Sequence, residues 1–364
     1  MSDREKRDRA PRARGGESRG KVSLADVAER ADVSLATASR VMSGAAYPVA
    51  SATRERVLQA ASELSYAPNL IARALVRQMT NTIGVVIGDI TDSYFAEIAR
   101  GVEDQARRRD FLTIVCNTDR SPAVENAYFR LLLDHHAAGI IIAGGAFPEA
   151  PESEAFRELA KETSRSATRL VMLTDRDVEA PVICVDDRMV TMDLTRYLIG
   201  LGHRRIAYVE GLSGLSTSLQ RGEGFARAMI EAGLDPSLRY PGGFGIEPGR
   251  AAAALMLRNE LPDAVIAASD EAAFGVLTTL QQGGVEIPGQ VSVAGIDDNR
   301  YAQLFNLTTM RLPTYDLGAM AARWVIGDEP CAPDSRVTLP CRVIPRGTTG
   351  WISKADRKGA VRAG

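Results

Sequence analysis

Histidine, cysteine and tryptophan are scarce in this chain, at three, four and two residues among 364. Metal sites built from nitrogen and sulfur need such side chains clustered at short spacing. Cys116, Cys184, Cys331 and Cys341 are instead dispersed, with no Cys-x-x-Cys pair among them. The sequence therefore signals neither a zinc centre nor a disulfide framework, and the thiols are expected to be reduced and buried. Any run approaching the ~20 apolar residues of a membrane span is also missing, and no apolar stretch lies near the start. That pattern predicts a cytoplasmic protein with no membrane partner. Catalytic signatures are lacking too. There is no Gly-x-Ser-x-Gly elbow and no complete phosphate-binding loop, and Gly144-Gly145 alone is a weak phosphate signal. Neither an enzyme nor a cofactor is expected.

What the chain does have is 45% hydrophobic and 25% charged residues, enough for a large core and more than one domain. A net charge of −2 excludes a general polyanion binder, but the charge is unevenly spread. Residues 1–20 hold seven Arg or Lys against four acids and almost no aliphatic side chains, a composition that predicts a disordered basic arm.

Residues 21–66 read as three short helices. Leu24, Val27, Ala28 and Ala31 make one apolar stripe at helical spacing. Asp32 and Val33 interrupt it, and Ser34 is placed to cap the next helix. That second helix, about 35–43, turns Ala38, Val41 and Met42 inward, leaving Ala36, Ser39 and Arg40 on the opposite face. A third, about 52–64, directs Val57, Leu58, Ala61 and Leu64 to one side. Two short helices joined by a tight turn, the second with a small, polar, basic outer face, suit presentation to a DNA major groove. Many structural bundles share that geometry, so periodicity alone leaves both readings open.

Residue identities go further. The stretch VSLADVAERADVSLATASRVMSG, followed by TRERVLQAASELSYAPNLIARAL and the strand-like IGVV, resembles the DNA-binding head of the LacI/GalR family of transcriptional regulators, the lactose and purine repressor type. The resemblance implies that Leu35, Ala36 and Arg40 read bases, while Ser23, Ser34, Thr37, Ser39 and Thr53 contact phosphates. The chemistry agrees: arginine offers two parallel hydrogen bonds to guanine, Leu and Ala offer apolar contact, and hydroxyls fix register on the backbone. Residues 67–81 form a hinge and linker whose segment Leu70 to Leu75 is too short to be a stable helix alone. In the family this segment becomes a helix on operator DNA, and Leu75 matches the leucine that enters the minor groove. A homodimer on a pseudo-palindromic operator follows from the same resemblance.

Beyond residue 82, apolar runs such as IGVVIGDI, GIIIAG, RIAYVEG and VSVAGID alternate with helical stretches. Alternation of this kind makes doubly wound α/β layers of parallel strands, and there are too many strands for one compact unit. Two lobes are expected, the first about 82–201 and 313–330, the second about 202–312 and 331–350, with 351–364 as a tail. Ligands of such folds lie beyond the carboxyl ends of the strands, where Asp89, Asp186, Glu210, Asp270 and Asp297 stand. The family resemblance implies a periplasmic-binding-protein-like core with a small-molecule effector between its lobes, and it places Tyr94, Phe95, Arg221, Phe244 and Asp297 beside that effector. Leu215 stands where a purine-binding member has a basic residue, which turns the expectation from a nucleobase towards a sugar. The tail lacks a leucine heptad, so no coiled-coil tetramer is signalled.

Overall fold

The computed structural model describes residues 22–43, 49–66 and 79–351. It divides into two units, Met1–Val76 and Arg77–Gly364. The predicted arm at 1–20, the hinge residue Leu75 and the tail beyond Trp351 lie outside the described residues.

In the first unit α1 (Leu24–Arg30), α2 (Leu35–Ser43) and α3 (Ser51–Glu63) surround one small core. Ser23 closes the start of α1 with a reciprocal box: its hydroxyl accepts from the Asp26 amide at 3.4 Å, and the Asp26 carboxylate accepts from the Ser23 amide at 2.8 Å. Asp32 takes φ 51° in the turn, a left-handed backbone that Asp tolerates better than most residues. Ser34 then accepts from the Thr37 amide at 3.1 Å and starts α2. Val27, Ala28, Ala38, Val41, Val57 and Ala61 fill the core. Leu58, expected inside, is half exposed, and Ala60 is buried beside Ala61 instead.

The second unit contains two six-stranded sheets. The first joins β1 (Thr82–Ile87), β2 (Leu112–Asn117), β3 (Gly139–Ile142), β4 (Arg169–Met172), β5 (Val182–Cys184) and β11 (Arg336–Thr338). All its pairings are parallel, in the order β11-β5-β4-β3-β1-β2. The second holds β6 (Ile206–Val209), β7 (Arg239–Tyr240), β8 (Ala264–Ala267), β9 (Ser292–Asp297), β10 (Thr308–Arg311) and β12 (Arg342–Ile344), in the order β12-β10-β9-β8-β6-β7. Only its edge strand β12 is antiparallel. Within each sheet the five successive strands follow one order, second-first-third-fourth-fifth, so the two lobes repeat one plan.

Helices cover both faces of both sheets. In lobe one, α4 (Ser93–Arg107) and α11 (Thr314–Ile326) bury Ile98, Val102, Leu317 and Trp324 against β1, while α5 (Pro122–Asp134) and α6 (Ser153–Thr163) bury Phe129 and Phe156 on the other face. In lobe two, α9 (Ile246–Met256) and α10 (Asp270–Gln282) cover one face, and α7 (Asp187–Gly200) and α8 (Ser216–Glu231) the other. The lobe boundaries differ from the sequence expectation at two places. Helix α7, expected in lobe one, packs Val190, Leu194 and Leu198 against Tyr208, Phe225 and Met229 of lobe two. Strand β11, expected in lobe two, pairs with β5 of lobe one. The chain thus crosses between lobes near residues 185, 312 and 340. The thiols also differ from expectation, since only Cys116 is buried and the other three are partly exposed.

Glycines set the spacing of the helix pairs. A side chain on Gly101 of α4 would run into the Tyr315 carbonyl of α11, and one on Gly318 would run into the Ile98 carbonyl. Gly249 and Gly275 hold the same relation between α9 and α10. Ordinarily Gly→Ala inside a helix stabilises by roughly 0.5–1 kcal/mol. At Gly318 the sign should reverse, because an added methyl in a filled contact costs about 1–3 kcal/mol. Gly200, with open space around it, is the control and should follow the ordinary sign. Urea unfolding of Gly318→Ala and Gly200→Ala measures both, and a Gly318→Ala protein as stable as the parent would refute this close contact.

Candidate functional site

The first candidate surface belongs to the head. Leu35 is 54% exposed at the start of α2, and Ala36, Ser39 and Arg40 are exposed beside it, while Ala38 and Val41 face the core. Ser23 and Ser34 are exposed at the starts of α1 and α2, and Thr37 and Thr53 are half-buried. The residues expected to read bases therefore share one outward face of one helix.

The second candidate is the cleft between the two lobes. It follows from the sheet order: each sheet changes direction between its first and third strand, and the carboxyl ends there open a crevice. An inner chamber of about 310 Å³ is lined by Tyr94 and Phe95 from lobe one and by Arg221, Phe244, Ser269 and Asp297 from lobe two. An outer chamber of about 470 Å³ shares Phe95, Arg120, Gly144, Gly145, Leu215 and Gln220 with it.

Arg221 anchors the inner chamber. It is 4% exposed, its Nε donates to Asp187 Oδ1 at 2.8 Å, and its Nη1 donates to the Ala268 carbonyl at 2.6 Å. Burial pushes the Asp187 carboxyl up, and the adjacent guanidinium opposes that shift. Asp297 is also buried, and burial together with neighbouring Asp270 holds its carboxyl well above the usual carboxylate range. Its backbone takes φ 129°, a region that favours glycine, and strain of this kind concentrates where a side chain must be aimed. The chamber so offers a cation, an acid and aromatic faces at Phe95 and Phe244, a set suited to a ring bearing hydroxyls.

Of the acids expected at the strand ends, Asp186 and Asp297 line the inner chamber and three lie elsewhere, Glu210 being paired with Arg239 at 2.7 Å. Asp270 is fully buried within lobe two, where it accepts from the Asn299 amide at 2.8 Å and from the Thr309 hydroxyl; it ties β9 and β10 to α10 and does not line either chamber. Asp89 also lines neither chamber; with Asp92 it grips Arg120, both contacts at 2.9 Å. Arg120 itself was not singled out in the sequence. It lines both chambers, with its guanidinium 5.8 Å from the Phe95 ring centre and 5.6 Å from that of Phe244. The only sequence signal for it was its place just after β2, a carboxyl-end position like those of the acids.

Comparison with known proteins gives consistent matches. Residues 23–69 match the family described as bacterial regulatory proteins, lacI family, and residues 195–349 match a periplasmic binding protein-like domain. The chain is 34% identical over 311 residues to the HTH-type transcriptional regulator RegA of Clostridium saccharobutylicum, covering 84% of this chain and 92% of that protein. It is 32% identical to catabolite control protein A of Priestia megaterium, covering 90% and 99%. Among solved structures, the lac repressor dimer bound to operator and the anti-inducer ONPF superposes with TM-score 0.77 at 24% identity, and the CelR–cellobiose complex with 0.63 at 26%; each comparison covers 90% of this chain and 99% of the other.

The charged groups of the cleft make two predictions. Replacing Arg221 by Met leaves Asp187 buried without its partner, which should cost about 3–5 kcal/mol in urea unfolding. Adding Asp187→Leu should recover most of that loss, and a double variant as unstable as the single would contradict the pairing. For Asp270 the folded state retains a proton that the unfolded chain releases near pH 4, because burial raises the folded value. Ionisation therefore removes stability as pH rises from about 4 to about 7. Asp270→Asn should gain in melting temperature relative to the parent over that rise, and a difference independent of pH would overturn the assignment.

Proposed function

Because the chain belongs to the LacI family of bacterial regulatory proteins and is one of its DNA-binding transcriptional regulators, we propose that it represses transcription under the control of a sugar. The observation that carries the DNA half is the shared outward face of Leu35, Ala36 and Arg40 on α2. Arg40 reads guanine through paired hydrogen bonds, Leu35 and Ala36 make apolar contact with base edges, and Ser23, Ser34, Thr37, Ser39 and Thr53 hold the phosphates. Two heads of a homodimer engage the halves of a pseudo-palindromic operator in the cytoplasm, and Leu75 wedges the minor groove between them.

The sugar half rests on the inner chamber. Phe95 and Phe244 offer faces for a pyranose ring, and Arg221 and Asp297 offer a donor and an acceptor for its hydroxyls. Tyr94 completes the wall. The structural neighbour CelR forms a complex with cellobiose, which supports a carbohydrate over a nucleobase. Effector binding changes the equilibrium between lobe arrangements, and a coupling of about 1–3 kcal/mol is enough to alter operator occupancy.

Operator duplexes selected from a random pool, followed by binding titrations at several salt concentrations, test this reading. Affinity should fall steeply as salt rises. Arg40→Ala should weaken binding by about 1–3 kcal/mol and relax the preference at one base pair in each half-site. Leu75→Ala should weaken operator binding while effector binding stays intact. A protein that selects no sequence, or an Arg40→Ala variant with unchanged preference, would sink the assignment.

A further inference from the structure

Resting on the sugar-effector reading, we propose that the outer chamber is a second sugar subsite, so that the effector is an uncharged saccharide of at least two linked rings. The inner chamber, at about 310 Å³, lies at the small end of ligand pockets, and the larger space of about 470 Å³ opens directly from it past Phe95, Arg120 and Leu215. A single ring seated on Arg221 and Asp297 leaves the larger space to water.

The outer chamber has the chemistry of a built site. Arg176 is 4% exposed in its side chain; its Nη1 and Nη2 donate to Glu125 and its Nη2 also to the Gly144 and Gly145 carbonyls. Its Nε is buried and has no hydrogen-bond partner among the described residues. Asn126, next to Glu125 on α5, donates from Nδ2 to the Glu152 carbonyl at 2.9 Å. That bond fixes the amide orientation and leaves Oδ1 as an acceptor, which is likewise buried and without a partner among the described residues. Both residues line the outer chamber, but these two atoms have no surface open to it, so a ligand hydroxyl, which donates and accepts, would meet them only where the wall yields to admit it. Phe147, half-buried at the same chamber, adds an aromatic surface for a ring.

The charges select against an anionic ligand. Each guanidinium at the outer chamber already has a carboxylate: Arg120 has Asp89 and Asp92, Arg157 has Glu154, Arg176 has Glu125, and Arg336 has Asp175. A sugar phosphate or sugar acid would have to displace one of these acids or approach it unpaired, and a neutral oligosaccharide meets neither penalty.

Calorimetric titration of the full-length protein tests the inference with a panel of neutral monosaccharides (glucose, galactose, mannose, xylose) and the disaccharides built from them. The expected result is one disaccharide bound at least about tenfold more tightly than its component monosaccharide. Phe147→Ala and Asn126→Leu should erase that advantage while leaving the monosaccharide affinity unchanged, which also shows that both variants are folded. A monosaccharide that binds as tightly as every disaccharide containing it overturns the second subsite and leaves the sugar reading standing. A tenfold advantage that survives both substitutions also overturns it. If no sugar binds at all, the sugar reading fails and this inference with it.

Discussion

Arg221 is almost wholly buried at the wall of the inner chamber, and a guanidinium there costs several kcal/mol unless its hydrogen bonds are met. Asp187 and the Ala268 carbonyl meet them, and these groups come from the start of α7 and the end of β8. A requirement for charge neutrality in one residue therefore fixes the mutual position of two helices and a strand end. Phe244 lies within 5.9 Å of the same guanidinium and Asp297 supplies a second acid, so the effector chamber is arranged around this cation. Replacing the pair with apolar residues would preserve the packing of lobe two and abolish the chamber's polarity.

Arg120 has the corresponding place in lobe one, with a difference that bears on motion. It is held by Asp89 and Asp92 of its own lobe but faces an aromatic ring from each lobe, Phe95 and Phe244. Ser216 and Ala146 add a direct link across the cleft, the Ser216 amide donating to the Ala146 carbonyl at 2.8 Å and the Ala146 amide to the Ser216 hydroxyl at 3.0 Å. Contacts of this kind are few and local, unlike the glycine-spaced helix pairs inside each lobe. Closure and opening of the cleft consequently exchange a small number of polar contacts without disturbing either core.

Much of this was legible in the sequence, and the failures have physical causes. Alternating apolar runs announced the strands, and the exposed face of α2 could be derived from 3.6-residue spacing once Ser34 was recognised as its cap. The lobe of helix α7 is not legible in the sequence, because Val190, Leu194 and Leu198 form an apolar stripe that any neighbouring surface would satisfy. Asp270 and Asp297 both follow strands, yet one turns into the interior to hold Thr309 and Asn299 and the other reaches the chamber; strand-end position cannot distinguish them. Arg120 and Asn126 gave little signal because their importance comes from partners distant in sequence.

The three passages of the chain between lobes have a consequence for synthesis. Lobe one lacks α11 and β11 until residue 338 has been made, and by then almost all of lobe two has already emerged from the ribosome. The usual order, in which the first-translated domain folds first, cannot apply to this pair. The apolar surface of α4 that awaits Leu317 and Trp324 must remain uncovered while more than half of the protein is produced. Neither lobe can therefore be obtained as a single contiguous fragment.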